Sequence, residues 1–318
     1  MPSLSNHQQT NLLLPPHCRP KTRCSLGNFA GFANSSGSQR KALKNSGRYS
    51  RLVHVRVQTT RQNPAMTTKH GDVKIFEGIQ DLTTSLADYI SERADAAVKD
   101  RGSFSIALSG GSLISTMSKL YEPPYNKIID WSKWHVFWAD ERVVPRNHPD
   151  SNYKLAKDGL LSKVPIIPGQ VYSINDSLSA DAAAEDYEFG LRQLVKTRIV
   201  DAASSSDSPK FDLILLGMGP DGHIASLFPG HPLTHEKDKW IASIKDSPKP
   251  PPERITFTFP VINSAANVAM VITGSNKADV LQKAFGEKQD TGVLPVQMVD
   301  PTEGNLVWFL DKPAASKL

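Results

Sequence analysis

A mostly apolar run, Phe211–Leu216, with Asp212 its one charged residue, stops at Gly217-Met218-Gly219-Pro220 and hands the chain to Asp221-Gly222-His223. A short, largely apolar stretch is the pattern of a strand buried on both faces of a parallel sheet. Parallel strands need long crossovers, usually helical, so one such strand commits much of the chain to strand–helix alternation. In open α/β sheets, ligand sites lie just beyond the carboxyl ends of the strands. The turn at 217–223 is therefore a candidate site, and a histidine two residues after a carboxylate suits proton transfer. The plainer alternative is a solvated turn whose Asp221 caps the next apolar stretch, Ile224–Phe228.

The expected alternation runs through the core. Strands are predicted at Val73–Phe76, Phe104–Leu108, Trp134–Trp138, Phe211–Leu216, Asn267–Ile272 and Leu306–Leu310. Helices are predicted at Leu82–Val98, Leu113–Leu120, Tyr153–Leu161, Ala180–Val200 and Lys277–Phe285, the first with Leu82, Leu86, Tyr89, Ile90 and Arg93 on one face. Ser204–Pro209 reads as a linker, Lys249–Pro252 as a Pro-rich loop, and Ile255–Phe259 alternates. The fold class is α/β: a layered, mainly parallel sheet with helices on both faces and right-handed crossovers. No internal repeat is visible.

Charge divides the chain. The first 71 residues hold eleven Lys or Arg and no Asp or Glu, whereas the remainder carries 26 basic against 32 acidic residues. A basic, Ser-rich, acid-free leader without a long apolar run has the composition of an organelle transit peptide. Residues 1–66 are read as this leader, 67–315 as a single domain, with Met66 an alternative start. The acidic core has no basic footprint for nucleic acid, and no stretch approaches the ~20 apolar residues of a membrane span. Both cysteines, Cys18 and Cys24, fall in the leader, so disulfides, thiolate metal sites and cysteine nucleophiles are not expected in the domain.

Several anion-friendly features lie at predicted strand ends. Ser109-Gly110-Gly111-Ser112 separates a strand from a helix, where backbone N–H groups and the helix dipole favour an anion. Its spacing is neither that of a nucleoside triphosphate loop nor that of a dinucleotide fingerprint, and no cofactor is expected. Lys277 opens a helix after Gly274-Ser275-Asn276, a position the macrodipole disfavours unless an anion sits in front of it. Arg254 is a candidate phosphate fork. Asp140-Glu141-Arg142 follows a strand, and Asn152 starts the next helix. Which carboxylate orients His223, Asp221 or one of the 140–141 pair, stays open. His231 and His235 stand four apart, yet Pro232 disfavours a regular helix there and no glutamate follows His231, so no metal site is expected. Trp131, Trp134 and Trp138 are read as core.

Taken in order, Ser109–Ser112, Asp140-Glu-Arg-x-Val-Pro145, Ser151-Asn152-Tyr153, Gly217–His223 with Ala225-Ser226-Leu227-Phe228-Pro229, Arg254 and Gly274-x-x-Lys277-Ala278 resemble the 6-phosphogluconolactonase and glucosamine-6-phosphate isomerase/deaminase superfamily. The resemblance spans essentially the whole core. It implies a modified Rossmann-like fold shared with ribose-5-phosphate isomerase and the deaminases. It also implies metal-free hydrolysis of 6-phosphoglucono-δ-lactone, a sugar-phosphate substrate. In that reading His223, Asp221, Arg142, Asp140 and Glu141 are catalytic, and backbone N–H groups at 219–222 assist Arg142 at the oxyanion. Ser109, Gly110, Gly111, Ser112, Asn152, Gly219, Arg254 and Lys277 bind substrate. Deaminases typically continue the turn as Ala-Phe-Asn-Glu-Pro; here that glutamate is absent, which favours the lactonase. A non-catalytic sugar-phosphate sensor would carry a helix-turn-helix, for which the leader has no periodicity. The leader resembles that of a plant plastid form, and the terminal Ser316-Lys317-Leu318 matches a peroxisomal address. Import receptors for both are the expected protein partners, the tail being read as exposed and flexible.

Overall fold

A computed structural model describes residues 66–68, 71–286 and 292–318, all within the compact unit Gln58–Leu318. The leader with Cys18 and Cys24 lies outside the described residues. The chain enters through β1 (Met66–Thr68) and β2 (Gly71–Phe76), then α1 (Ile79–Arg101), β3 (Phe104–Leu108) and the short α2 (Leu113–Thr116). It continues with α3 (Tyr125–Ile128), β4 (Trp134–Trp138), β5 (Asp140–Arg142), α4 (Asn152–Gly159) and α5 (Ala180–Lys196). Next come β6 (Asp201–Ala202), β7 (Pro209–Lys210), β8 (Leu213–Leu216), β9 (Ile241–Ile244) and β10 (Arg254–Phe257). The last elements are α6 (Phe259–Ile262), β11 (Asn267–Ile272), α7 (Ala278–Phe285) and β12 (Asn305–Asp311).

The main sheet has the order β1-β2-β12-β11-β8-β3-β4. Only its β1–β2 pair is antiparallel. Every residue of β3, β4 and β8 is buried. Successive strand residues point to opposite faces, so both faces of the central strands are covered. From β3 the chain moves outward to β4, whereas from β8 it moves the opposite way to β11 and β12. The order therefore reverses between β3 and β8, and a crevice opens beyond their carboxyl ends.

Sequence reading missed a second, antiparallel sheet of order β5-β10-β9. Ala139 passes the chain from one sheet to the other: its N–H donates to Leu108 O at 2.9 Å, and its carbonyl accepts from Phe257 N at 2.7 Å. Three residues, two of them carboxylates, carry no strand signature, and only the partner β10 makes β5 a strand.

Helix boundaries differ from expectation where local geometry intervenes. Helix α1 extends to Arg101 and ends at Gly102, whose left-handed backbone (φ +81°) donates back to Val98 O. The predicted helix from Leu113 to Leu120 keeps its α form for four residues, then tightens to a 3₁₀ turn at Ser118–Tyr121. The dipole it offers to the Ser109–Ser112 loop is correspondingly small. The tail is exposed at Ser316, Lys317 and Leu318, as expected, but is folded back where flexibility was expected. Ala314 and Ala315 are buried, Ser316 Oγ donates to Pro313 O, Lys317 pairs with Asp279, and Leu318 N donates to Ala315 O. The terminal residues thus form a folded turn, held because alanines small enough to tuck beneath it precede them. No helix among the described residues is long and apolar enough to cross a membrane.

At the edge of the sheet opposite the crevice, Asp212 ties β8 to β3 and α1. Arg101 Nη2 reaches both its oxygens at 2.5 Å, and Ser105 donates through N at 2.7 Å and Oγ at 2.8 Å. Removing one member of a largely buried ion pair strands the other. Asp212→Ala should therefore cost about 3 kcal/mol in denaturant unfolding, with chemistry at the far edge of the sheet unaffected; a loss below about 0.5 kcal/mol would contradict this account.

Candidate active site

A cavity of about 300 Å³ occupies the crevice. Ten sequence candidates line it: Ser109, Gly110, Gly111, Ser112, Asp140, Arg142, Gly219, His223, Arg254 and Lys277. Asp221 stands behind His223, while Glu141 and Asn152 lie beneath the floor.

The turn after β8 is built around its glycines. Gly219 N donates to His223 O at 2.9 Å, and Gly222 N to Gly219 O at 3.0 Å. A Cβ on Gly219 would stand 2.0 Å from two atoms of the His223 ring. Both N–H groups are engaged within the turn, so neither of these two is offered to an oxyanion. Asp221 Oδ1 lies 2.5 Å from His223 Nδ1, and this fixes Asp221 as the orienting carboxylate. With Nδ1 engaged, Nε2 is left for the cavity. Phe228 covers the ring, with centroids 4.6 Å apart. Burial lowers the His223 pKa; Asp221 opposes, and Lys249 adds to the lowering. Burial also disfavours the Asp221 carboxylate, but its bonds to His223 and Lys249 outweigh this and hold its pKa below the usual range. A neutral imidazole beside an ionised carboxylate is a competent general base.

Glu141 requires correction. It is 1% exposed and accepts from the backbone N–H groups of Arg142, Asn152 and Tyr153 and from Ser151 Oγ. It thus caps α4, and burial raises its pKa despite those bonds. Its oxygens are committed to this frame, away from His223. Asp140 does reach the cavity, where its Oδ2 accepts from Ser226 Oγ at 2.8 Å. Asn152, expected to touch substrate, supports the loop from below. Its Nδ2 donates to Asp140 O at 2.9 Å, and a Cβ on Gly110 would meet its Oδ1 at 1.8 Å. That Oδ1 and Ser109 Oγ are buried with no hydrogen-bond partner. Ser112 makes no side-chain cap, so its hydroxyl is not consumed by α2.

Three cations face this loop. Arg142 Nη1 donates to Asp150 O at 2.7 Å, while its buried Nε has no partner. Arg254, 3% exposed, is less open than a free fork. Its Nε holds Pro251 O, its Nη2 holds Lys249 O and Pro250 O, and its Nη1 reaches Ser226 Oγ. One Nη1 hydrogen remains for a ligand. Arg254 and Arg142 are direct cross-strand partners, a like-charge pairing that is unfavourable without an anion. Lys277 is half-buried; burial, then the Lys249 charge, lowers its pKa, with Asp221 opposing. Lys249, Ser226 and Phe228 are the residues whose part sequence reasoning missed. Lys249 lay five positions before Arg254 in a segment read only as a loop.

Outside the cavity, Trp131, Trp134 and Trp138 are core, as expected. His231 Nε2 lies 3.2 Å from Asp246, its Nδ1 accepts from Leu233 N, and a 3₁₀ turn separates it from His235. Among the described residues no group of three or more His, Cys, Asp or Glu is placed to hold a metal ion.

Comparison with known proteins agrees with this geometry. A family model described as glucosamine-6-phosphate isomerases/6-phosphogluconolactonase matches residues 77–308. The chain is 61% identical over 248 residues to "Probable 6-phosphogluconolactonase 4, chloroplastic" of Oryza sativa subsp. indica, covering 78% of this chain and 76% of that one. It is 57% identical over 260 residues to "Probable 6-phosphogluconolactonase 1" of Arabidopsis thaliana, covering 80% and 97%. Among solved structures, the 6-phosphogluconolactonase of Trypanosoma brucei superposes with a TM-score of 0.67 at 26% identity, over 81% of this chain and all (100%) of that one. The chain belongs to the glucosamine-6-phosphate isomerase/6-phosphogluconolactonase family.

Proposed function

We propose that this chain hydrolyses 6-phospho-D-glucono-1,5-lactone to 6-phospho-D-gluconate, the second step of the oxidative pentose phosphate pathway. The observation that carries the reading is His223, held by Asp221 through Nδ1 and leaving Nε2 for a cavity that Arg142, Arg254 and Lys277 also line, with burial lowering its pKa. The substrate phosphate docks on Ser109–Ser112 with Lys277 and the remaining Arg254 hydrogen, which fixes the distance from phosphate to reacting carbonyl. His223 takes a proton from water as its oxygen attacks C1, and Arg142 stabilises the developing oxyanion. The C1–ring oxygen bond then breaks and His223 returns the proton to that oxygen. Asp140 and Ser226 keep the Arg142–Arg254 wall ordered. Where the deaminases carry a glutamate, this chain has Phe228 against the imidazole, so no acid stands there to assist ring opening.

The experiment is a parallel assay of residues 67–318 on 6-phosphogluconolactone and on glucosamine 6-phosphate. Lactone turnover without ammonia release is expected, and the reverse would overturn the reading. His223→Ala should lower kcat about 10²–10⁴-fold with KM little changed. Lys277→Ala should raise KM for the phosphorylated lactone and leave unphosphorylated gluconolactone unaffected. Equal effects of Lys277→Ala on both lactones would remove it from the phosphate site.

The reading of residues 1–66 as a plastid leader, 67–315 as the catalytic domain and 316–318 as a peroxisomal address belongs to the same proposal. The leader's acid-free composition supports the first, as does the word "chloroplastic" in the names of rice relatives. Leu318 is 49% exposed, but Lys317 must leave Asp279 before an import receptor can take the tail. A reporter fused ahead of residues 66–318 should enter peroxisomes, more efficiently with Asp279→Ala. Diffuse signal both with and without Ser316–Leu318 would make the tripeptide a coincidence.

A further inference from the structure

Lys249 has no part in the mechanism above, yet its ammonium stands inside the reaction centre. Nζ lies 3.1 Å from Asp221 Oδ1 and 3.2 Å from His223 Nδ1. A long lysine side chain gains rotamer freedom by pointing into water, and this one, 35% exposed, points inward. The backbone that carries it is tied down. Lys249 N donates to Ser247 Oγ, Ser247 Oγ donates to Lys249 O, and Arg254 Nη2 donates to Lys249 O and Pro250 O. The arginine that faces the cavity thus also fastens the loop that delivers the lysine.

A carboxylate alone against a histidine stabilises the imidazolium, which has no lone pair to accept a proton from water. His223 faces two carboxylates, Asp221 in contact and Asp140 across the cavity, and one cation in contact, Lys249, with Lys277 beyond it. Burial is the larger cause that disfavours the imidazolium, and Lys249 adds to it against the two carboxylates, so removing Lys249 shifts the balance at the ring toward protonation. We propose that Lys249 is a positioning residue of the centre, sharing Asp221 Oδ1 with His223 so that the imidazole stays neutral with Nε2 toward the cavity. This rests on the assignment of His223 as general base. The proton taken from water resides on Nε2 only until the C1–ring oxygen bond breaks, and repulsion from Lys249 favours its transfer to that oxygen.

The test is an NMR titration of ¹³C-labelled histidine in the substrate-free protein, with His223→Gln assigning the resonance, beside the pH profile of kcat/KM. Removing a contacting cation lets the imidazole protonate at higher pH. Lys249→Met should therefore raise the His223 midpoint by about half a unit to one unit, and move the acid limb of kcat/KM upward by the same amount. KM should change less than threefold, and Lys249→Arg should restore the wild-type profile. Arg254→Lys, which loosens the loop, should shift the midpoint in the same direction. An unmoved or lowered midpoint in Lys249→Met overturns the proposal. So does a KM raised tenfold without movement of the acid limb, which would make Lys249 a substrate ligand. The titration needs no substrate, so a midpoint shift in a protein inactive on the lactone would sink the proposed reaction and leave the placement of Lys249 standing.

Discussion

The 2.5 Å contact between Asp221 and His223 exists because the backbone of Gly219 passes where any other residue would put a Cβ into the imidazole. Two further hydrogen bonds, from Gly219 and Gly222, close the turn on itself. Gly219 lies against one edge of the ring, and Phe228 packs on it with centroids 4.6 Å apart. A charge-assisted hydrogen bond of this kind contributes about 1.5–3 kcal/mol. Its larger consequence is geometric: with Nδ1 committed, the remaining nitrogen can serve only the cavity. The parallel sheet supplies the platform, since buried β8 hands its carboxyl end to this turn at the point where strand order reverses.

Around that fixed base the site gathers more positive charge than the fold requires. Arg142 and Arg254 are cross-strand neighbours, and burial, then the charge of Lys249, lowers the pKa of Lys277. Such crowding costs stability in the free protein and is relieved by a bound anion. The unpartnered Ser109 Oγ and Arg142 Nε are the same economy at single atoms: polar groups kept from the fold and available to a ligand. The carboxylates that accompany them divide their work. Asp221 serves the histidine, Asp140 holds Ser226 between itself and Arg254, and Glu141 organises the start of α4. In this way the small antiparallel sheet fixes where the cationic wall stands relative to the base.

Much of this was legible in the residues. The runs Phe104–Leu108, Trp134–Trp138 and Asn267–Ile272 form strands with the predicted bounds, because continuous apolar stretches of that length have few other ways to be buried. The glycine-rich ends of β3 and β8 pointed to the crevice for the same reason that they form it: only residues without side chains let backbone approach a ligand or a ring so closely. The alternation of strands with helices decided the class of the fold, and it placed the candidate residues at carboxyl ends.

What local pattern cannot carry is the partner across the chain. Asp140, Glu141 and Arg142 look alike in sequence as a polar run. Only the pairing of β5 with β10 turns one toward the cavity, another under α4 and the third toward a neighbouring arginine. Asn152 reads as a ligand until Gly110 is seen resting on it. Lys249 reads as part of a loop until Arg254 is seen fastening that loop beside His223. The tail reads as free until buried Ala314 and the Lys317–Asp279 pair fold it back. Sequence alone determined the parallel strands of the main sheet, the glycine turns and the histidine one of them carries, since those follow from hydrophobic period and the lack of a Cβ. The tertiary structure decided which charge meets which, because Coulomb and hydrogen-bond energies depend on distances between residues that the chain itself holds far apart.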